Sequence, residues 1–307
     1  MRATARAALD LRNVLFATDF SPCSERALLH AVAVAHHYGS TLHVAHVVKP
    51  GVFCMVPPEG YMATSEAEII AMKLAHADAQ DLASRALKNS HCEDIAVRTW
   101  VNLGVVGETL CSIIQREHID LVVVGSHART GLRKIVLGSV AEEIFRSAPC
   151  PVLTVGPNSW RSDPQVVHLR RILFPTDFSP DSARALPIAV AVAEKFRAPI
   201  TVLHVVDRLD ATAANGKQKI AATIKERMVE MVSCFSGTSI HAELSVEFGD
   251  VGSSVVAAAN RLGADLIAFG LKSPDTYADR LPWMHAYKVV CEAMCPVLSL
   301  KGESSRP

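Results

Sequence analysis

Aromatic residues make up only 6% of the 307-residue chain, and its charges cancel, 31 Lys and Arg against 31 Asp and Glu. That balance excludes the basic footprint expected of a nucleic-acid binder. No run of about 20 apolar residues occurs, so no membrane-spanning helix is expected. The first thirteen residues carry arginines but no apolar core of a signal peptide. A soluble cytoplasmic protein, with neither membrane nor nucleic-acid partner, is the expectation. The eight cysteines (23, 54, 92, 111, 150, 234, 291 and 295) include no Cys-x-x-Cys pair. Cys291 and Cys295 lie one helical turn apart without a matching His or Cys pair, so buried reduced thiols are expected and no metal site. Walker A, Gly-x-Gly-x-x-Gly and Ser-Gly-Gly motifs are also missing. No catalytic residue can be assigned.

What is present is repetition. Arg12 to Val48 aligns without a gap on Arg170 to Val206, with more than half the positions identical. Self-similarity at domain length means a duplicated domain. Each copy opens with a short apolar strand (Val14 to Ala17; Ile172 to Phe174). Thr-Asp-Phe-Ser-Pro follows, with Ser at the N-cap and Pro at the first helical position. The helix should run to about Tyr38 or Phe196, and a second strand ends in His-Val-Val. After divergent connectors, helices are expected from about Ser65 to Lys88 and from Lys217 to Cys234. Strands follow at Ala96 to Val101 and Ala242 to Val246, then Gly-x-x-Gly turns, helices ending before Asp120 or Asp265, and strands Leu121–Val124 and Leu266–Phe269. Last come matching Cys-Pro pairs and strands Val152–Val155 and Val297–Leu300. Alternating strands and helices, with an apolar content dominated by Ala, Val, Leu and Ile, predict two tandem doubly wound α/β domains. Each would hold a mostly parallel five-stranded sheet flanked by helices. The domains are placed at 1–157 and 170–307, with a linker at 158–169.

The segment Val122 to Val155 carries the sharpest chemical clue. A strand ends at Gly125, and Gly138-Ser139 precede a helical pattern from Val140 to Arg146. Ser139 with Glu142 reads as a capping box. A glycine-bearing loop feeding a helix N-terminus gathers unpaired N–H groups that suit phosphate oxygens. Arg129, Arg133 and Lys134 add positive charge, either as phosphate ligands or as a solvated loop. Ser139 can serve as cap or as phosphate contact. Asp19 can serve the turn into the helix or accept from ribose hydroxyls. His46 and His204, repeated at strand ends, are expected to be packed and hydrogen-bonded.

These features make the chain resemble a tandem universal stress protein, with two UspA-type domains. The ATP-binding branch of that family carries Gly, two residues, Gly, nine residues, Gly, then Ser or Thr. Here those positions are Gly125, Ala128, Gly138 and Ser139, so the spacing matches but the second glycine is alanine. If that position needs positive φ, alanine costs about 1 kcal/mol or more. The resemblance implies a Rossmann-like domain, of the adenine nucleotide alpha hydrolase type, with adenosine near Thr18 and Asp19 and adenine against the Val47 backbone. Gly125 would lie near the ribose, and Ala128, Arg129, Gly138, Ser139 and Val140 would lie about the phosphates. The implied ligand is ATP, with or without Mg, and the implied role is a regulatory module of the stress response with weak catalysis or none. A nucleotide-independent interaction protein and a slow ATPase are the alternatives. Domains of this family pair through their last strands, which implies an intrachain pseudo-dimer and leaves room for a homodimer.

The second copy differs. Aligning Cys150-Pro151 with Cys295-Pro296 sets Gly270 against Gly125, Ser273 against Ala128, and Trp283-Met284 against Gly138-Ser139. Its stretch from Leu271 to Tyr287 reads as a loop with two prolines and bulky side chains. No ATP is expected there.

Overall fold

The computed structural model describes residues 10–51, 66–126, 139–159, 169–207, 214–233, 241–271 and 280–301. The first half contains β1 (Asn13–Ala17), α1 (Pro22–Tyr38), β2 (Thr41–Val48), α2 (Glu66–Asn89) and β3 (Val97–Leu103). It continues with α3 (Val106–Arg116), β4 (Leu121–Gly125), α4 (Ser139–Ser147) and β5 (Val152–Val155). The second half repeats the order with β6 (Ile172–Pro175), α5 (Pro180–Phe196), β7 (Ile200–Val206), α6 (Ala214–Ser233) and β8 (Ala242–Phe248). It ends with α7 (Val251–Leu262), β9 (Leu266–Leu271), α8 (Arg280–Glu292) and β10 (Val297–Lys301).

The strands do not form two separate sheets. They form one ten-stranded sheet in the order β3-β2-β1-β4-β5-β10-β9-β6-β7-β8. Each half is parallel, and the halves meet where β5 and β10 pair antiparallel, Leu153 facing Leu298. Joining there removes two edges that would otherwise expose unpaired backbone groups. Among the described residues β3 and β8 are the ends of the sheet.

Strand alternation sends successive side chains to opposite faces. Val14 and Phe16 join a core with α1, α2 and α5, while Leu15 and Ala17 join a second core with α3, α4, α7 and α8. Both faces are covered, which is why the strands read as continuous apolar runs. Both cores also run through both halves. On one side His37 stacks on Phe196 at 4.5 Å. On the other, Phe145 meets Tyr287 at 5.8 Å, and the Tyr287 hydroxyl donates to Glu142 Oε1 at 3.2 Å. Burial, then Glu142, raises the Tyr287 pKa, so this phenol stays protonated.

Helix starts follow the sequence closely. Ser21 Oγ accepts from Ser24 N at 3.2 Å and Ser179 Oγ from Ser182 N at 3.1 Å, each ahead of a proline at the first helical position. α5 continues through Pro187. α1 ends on Gly39 at φ 67°, but α5 ends on Arg197 at φ 52°, a left-handed conformation that favours glycine. The aspartates before β4 and β9 clamp the start of each half. Asp120 Oδ2 accepts from Arg12 N and Asn13 N at 2.8 and 2.9 Å, and Asp265 Oδ2 from Arg170 N and Arg171 N at 2.8 and 3.1 Å.

The largest departure from the sequence reading lies in the second half. Much of the stretch read there as a loop is helix, because α8 already begins at Arg280. Pro282 sits in the first turn, where a missing N–H breaks no intrahelical bond.

Candidate functional site at the strand ends

The carboxyl ends of β1, β2 and β4 lie side by side. Ala17 pairs with Ala45 on one flank and with Val124 on the other. The chain leaves β1 through Thr18 and Asp19, while β2 continues to Val47 and β4 ends at Gly125. These four expected site residues therefore share one edge of the sheet. α4 begins at Ser139, and Val140, next along it, is half-buried against the core shared with α3. Ala128, Arg129, Arg133, Lys134 and Gly138 lie outside the described residues, as does Ser273.

The Thr-Asp-Phe-Ser turn is built from its own side chains. Thr18, only 7% exposed, accepts through Oγ1 from Phe20 N at 2.9 Å and lies 3.1 Å from Ser24 Oγ. Asp19 is exposed, and its Oδ1 accepts from Ser21 N at 3.1 Å. These bonds hold Phe20 at φ 60°. His46 closes the turn from β2: its Nδ1 donates to Thr18 O at 2.9 Å, and its ring lies 4.5 Å from Phe20. Only an Nδ1–H can donate to a carbonyl, so the neutral ring leaves Nε2 as an acceptor. The second half reproduces each feature. Phe178 has φ 60°, Asp177 Oδ1 accepts from Ser179 N at 2.9 Å, and His204 Nδ1 donates to Thr176 O at 2.8 Å. This shared turn needs no ligand to satisfy its buried groups.

Gly125 has a reason in packing. A Cβ there would lie 2.7 Å from Cys23 O and 2.9 Å from Ser24 Cα, both backbone atoms of the first turn of α1. Gly270 is crowded in the same way, with Ser182 Cα at 2.8 Å. Glycine lets the helix start sit directly on the strand end, which draws the Thr-Asp-Phe-Ser turn against β4.

Sequence reasoning overlooked Ser126. It is fully buried, its N–H donates to Val155 O at 2.9 Å, and its Oγ has no hydrogen-bond partner among the described residues. A buried hydroxyl without a partner costs about 1–3 kcal/mol. The available signal was its place directly after Gly125, on the face of β4 that carries Val122 and Val124. Glu142, read as half of a capping box, accepts from Tyr287 and lies 3.7 Å from Arg146.

Each half is thus a doubly wound α/β domain with a polar turn at its strand ends, the place where open α/β sheets hold ligands. The model of the universal stress protein family matches residues 10–156 and again 168–301. The chain belongs to that family, as two tandem copies of its domain. Universal stress protein A homolog 1 of Coxiella burnetii is 32% identical over 153 residues, covering 47% of this chain and 95% of that protein. Universal stress protein MJ0531 of Methanocaldococcus jannaschii is 29% identical over 144 residues, covering 47% of this chain and 81% of its own length. A universal stress protein of Archaeoglobus fulgidus has the same fold across the chain, with TM-score 0.69 and 19% identity, covering 97% of this chain and 99% of its own.

Proposed function

We propose that the first half binds one adenine nucleotide, ATP by the motif spacing, and acts as a regulatory module of the stress response in the cytoplasm. The observation that carries this reading is the convergence of Thr18, Asp19, Val47 and Gly125 on one strand-end edge, with the start of α4 at Ser139. Asp19 offers a carboxylate to ribose hydroxyls, and the Val47 backbone offers amide groups to the adenine edge. The first-turn amides of α4, with Gly138, Ser139 and Val140, would donate to phosphate oxygens. The buried Ser126 hydroxyl beside Gly125 fits a site that a polar ligand completes. Ala128 and Arg129 belong to the loop assigned to the phosphates. Among the described residues no group of three or more His, Cys, Asp or Glu could hold a metal.

No helix among the described residues is long and apolar enough to cross a membrane. The domains are assigned to 1–157 and 170–307, paired within one chain through β5 and β10. Equilibrium binding of a fluorescent ATP analogue to the full chain tests the site. Gly138→Trp should abolish retention while leaving the unfolding midpoint unchanged. Equal retention by both proteins, or none by the wild type, would remove the assignment.

One observation favours a nucleotide-independent structural role: the Thr-Asp-Phe-Ser turn is satisfied in the same way in both halves. Under that reading the wild-type chain retains no ATP analogue, and Ser126→Ala raises stability by about 1 kcal/mol or more.

A further inference from the structure

The second half keeps a cavity of about 370 Å³ at the carboxyl ends of β6, β7 and β9, closed by α7 and α8. That volume falls within the range of small-molecule sites, roughly 300–1,000 Å³. Its chemistry differs from that of the first half at the positions that decide what can enter.

The start of the last helix is the first difference. With the Cys-Pro pairs aligned, Met284 occupies the position of Ser139, where α4 begins. α8 begins four residues earlier, at Arg280, and four residues of helix span about 6 Å. The N–H groups of Met284 and His285 therefore lie inside the helix, directed at carbonyls one turn back. In α4, whose described residues start at Ser139, the corresponding amides fall in the first turn. Phosphate oxygens thus lose their donors.

The wall is the second difference. Leu271 replaces Ser126, and Phe269 replaces Val124, within a lining that also includes Leu203, Val205, Val255 and Val289. Among the described lining residues there is no Lys or Arg, and Asp177 would repel an anion. The remaining polar atoms suit an uncharged group. His204 donates through Nδ1 to Thr176 O, which in the neutral ring leaves Nε2 as an acceptor, and half-buried His285 stands on α8.

We propose that this cavity is a second ligand site, for a neutral and largely apolar small molecule carrying one hydrogen-bond donor. The site does not depend on what the first half binds. A mostly apolar pocket with a few placed polar groups supplies burial for affinity and a donor–acceptor pair for orientation.

N-phenyl-1-naphthylamine, a neutral fluorophore with a single N–H, tests the proposal on the full chain. Titration should give saturable enhancement at one site per chain, undisturbed by excess ATP. Ala286→Phe fills the cavity and should weaken binding at least tenfold while leaving ATP-analogue retention as in the wild type. Ala286 is buried, so far-UV circular dichroism accompanies that variant. His285→Trp, at a half-buried position on the rim, gives the same test with less strain. No saturable enhancement, displacement of the fluorophore by ATP, or wild-type affinity in a folded variant would overturn the proposal.

Discussion

Gly125→Ala separates a glycine required by packing from one required only by a ligand. The added methyl would lie 2.7 and 2.8 Å from Cys23 O and C and 2.9 Å from Ser24 Cα. Real Cβ contacts do not come so close to backbone, and no side chain can swing away to relieve them. The first turn of α1 must move, and that turn holds Ser24 against Thr18 and Ser21. Overpacking of this kind costs about 1–3 kcal/mol. Alanine recovers roughly 0.5–1 kcal/mol through lower chain entropy in a strand. The net expectation is a loss of about 1–2 kcal/mol, and Gly270→Ala should lose a similar amount through Asp181 and Ser182. Urea unfolding of the full chain, followed by far-UV circular dichroism without added nucleotide, reads both. At about 2–4 °C per kcal/mol for a domain of roughly 150–250 residues, melting should shift by several degrees as well. Unchanged midpoints in both variants would refute the packing account and return Gly125 to the ligand.

Three further outcomes follow from the same structure. His43 is fully buried and accepts from Trp100 Nε1 at 3.0 Å, with its Nε2 3.2 Å from Asn13 Oδ1. Burial first, then Arg98, holds its pKa below the usual 6.5 against a smaller opposing effect of Glu117. The unfolded chain then binds more protons, so this contribution is complete above about pH 6.5 and declines as pH falls toward the folded-state value, by at most about 1.4 kcal/mol per unit. His37 acts with the same sign through burial, Lys195 and His36. The urea midpoint should therefore be lower at pH 5.5 than at pH 7.5, and a higher one would contradict this. Arg197→Gly should raise stability by up to about 1 kcal/mol by relieving the left-handed residue that ends α5, whereas Gly39→Arg should lower it; equal effects would argue against strain. Asp265→Ala should lower the thermal midpoint by leaving the Arg170 and Arg171 amides unpaired, about 1–3 kcal/mol if both stay dry, and a neutral result would mean that water replaces the carboxylate.

Much of this fold was legible because each element is specified locally. Ser21-Pro22 and Ser179-Pro180 mark helix starts by cap and fixed φ, and the apolar runs between turns locate strands buried on both faces. The gapless repeat then supplied each assignment twice. The junction of the halves was expected only from the family resemblance, because the pairing of Leu153 with Leu298 joins strands 145 residues apart and leaves no local mark in the sequence. Pro282 misled the reading of α8, since proline breaks a helix interior but not a first turn. Ser126 escaped notice because a missing hydrogen bond leaves no mark in sequence. At the site, the strand-end residues were legible from the repeated turn. The turn serves both halves, and what differs between them is where the last helix begins, at Ser139 and at Arg280.

The stoichiometry of ATP-analogue binding to the full chain, by equilibrium dialysis at saturating ligand, tests that distinction most directly. One molecule per chain is predicted, with α4 supplying free amides in the first half and α8 withholding them in the second. Two molecules per chain, or none, would contradict the account.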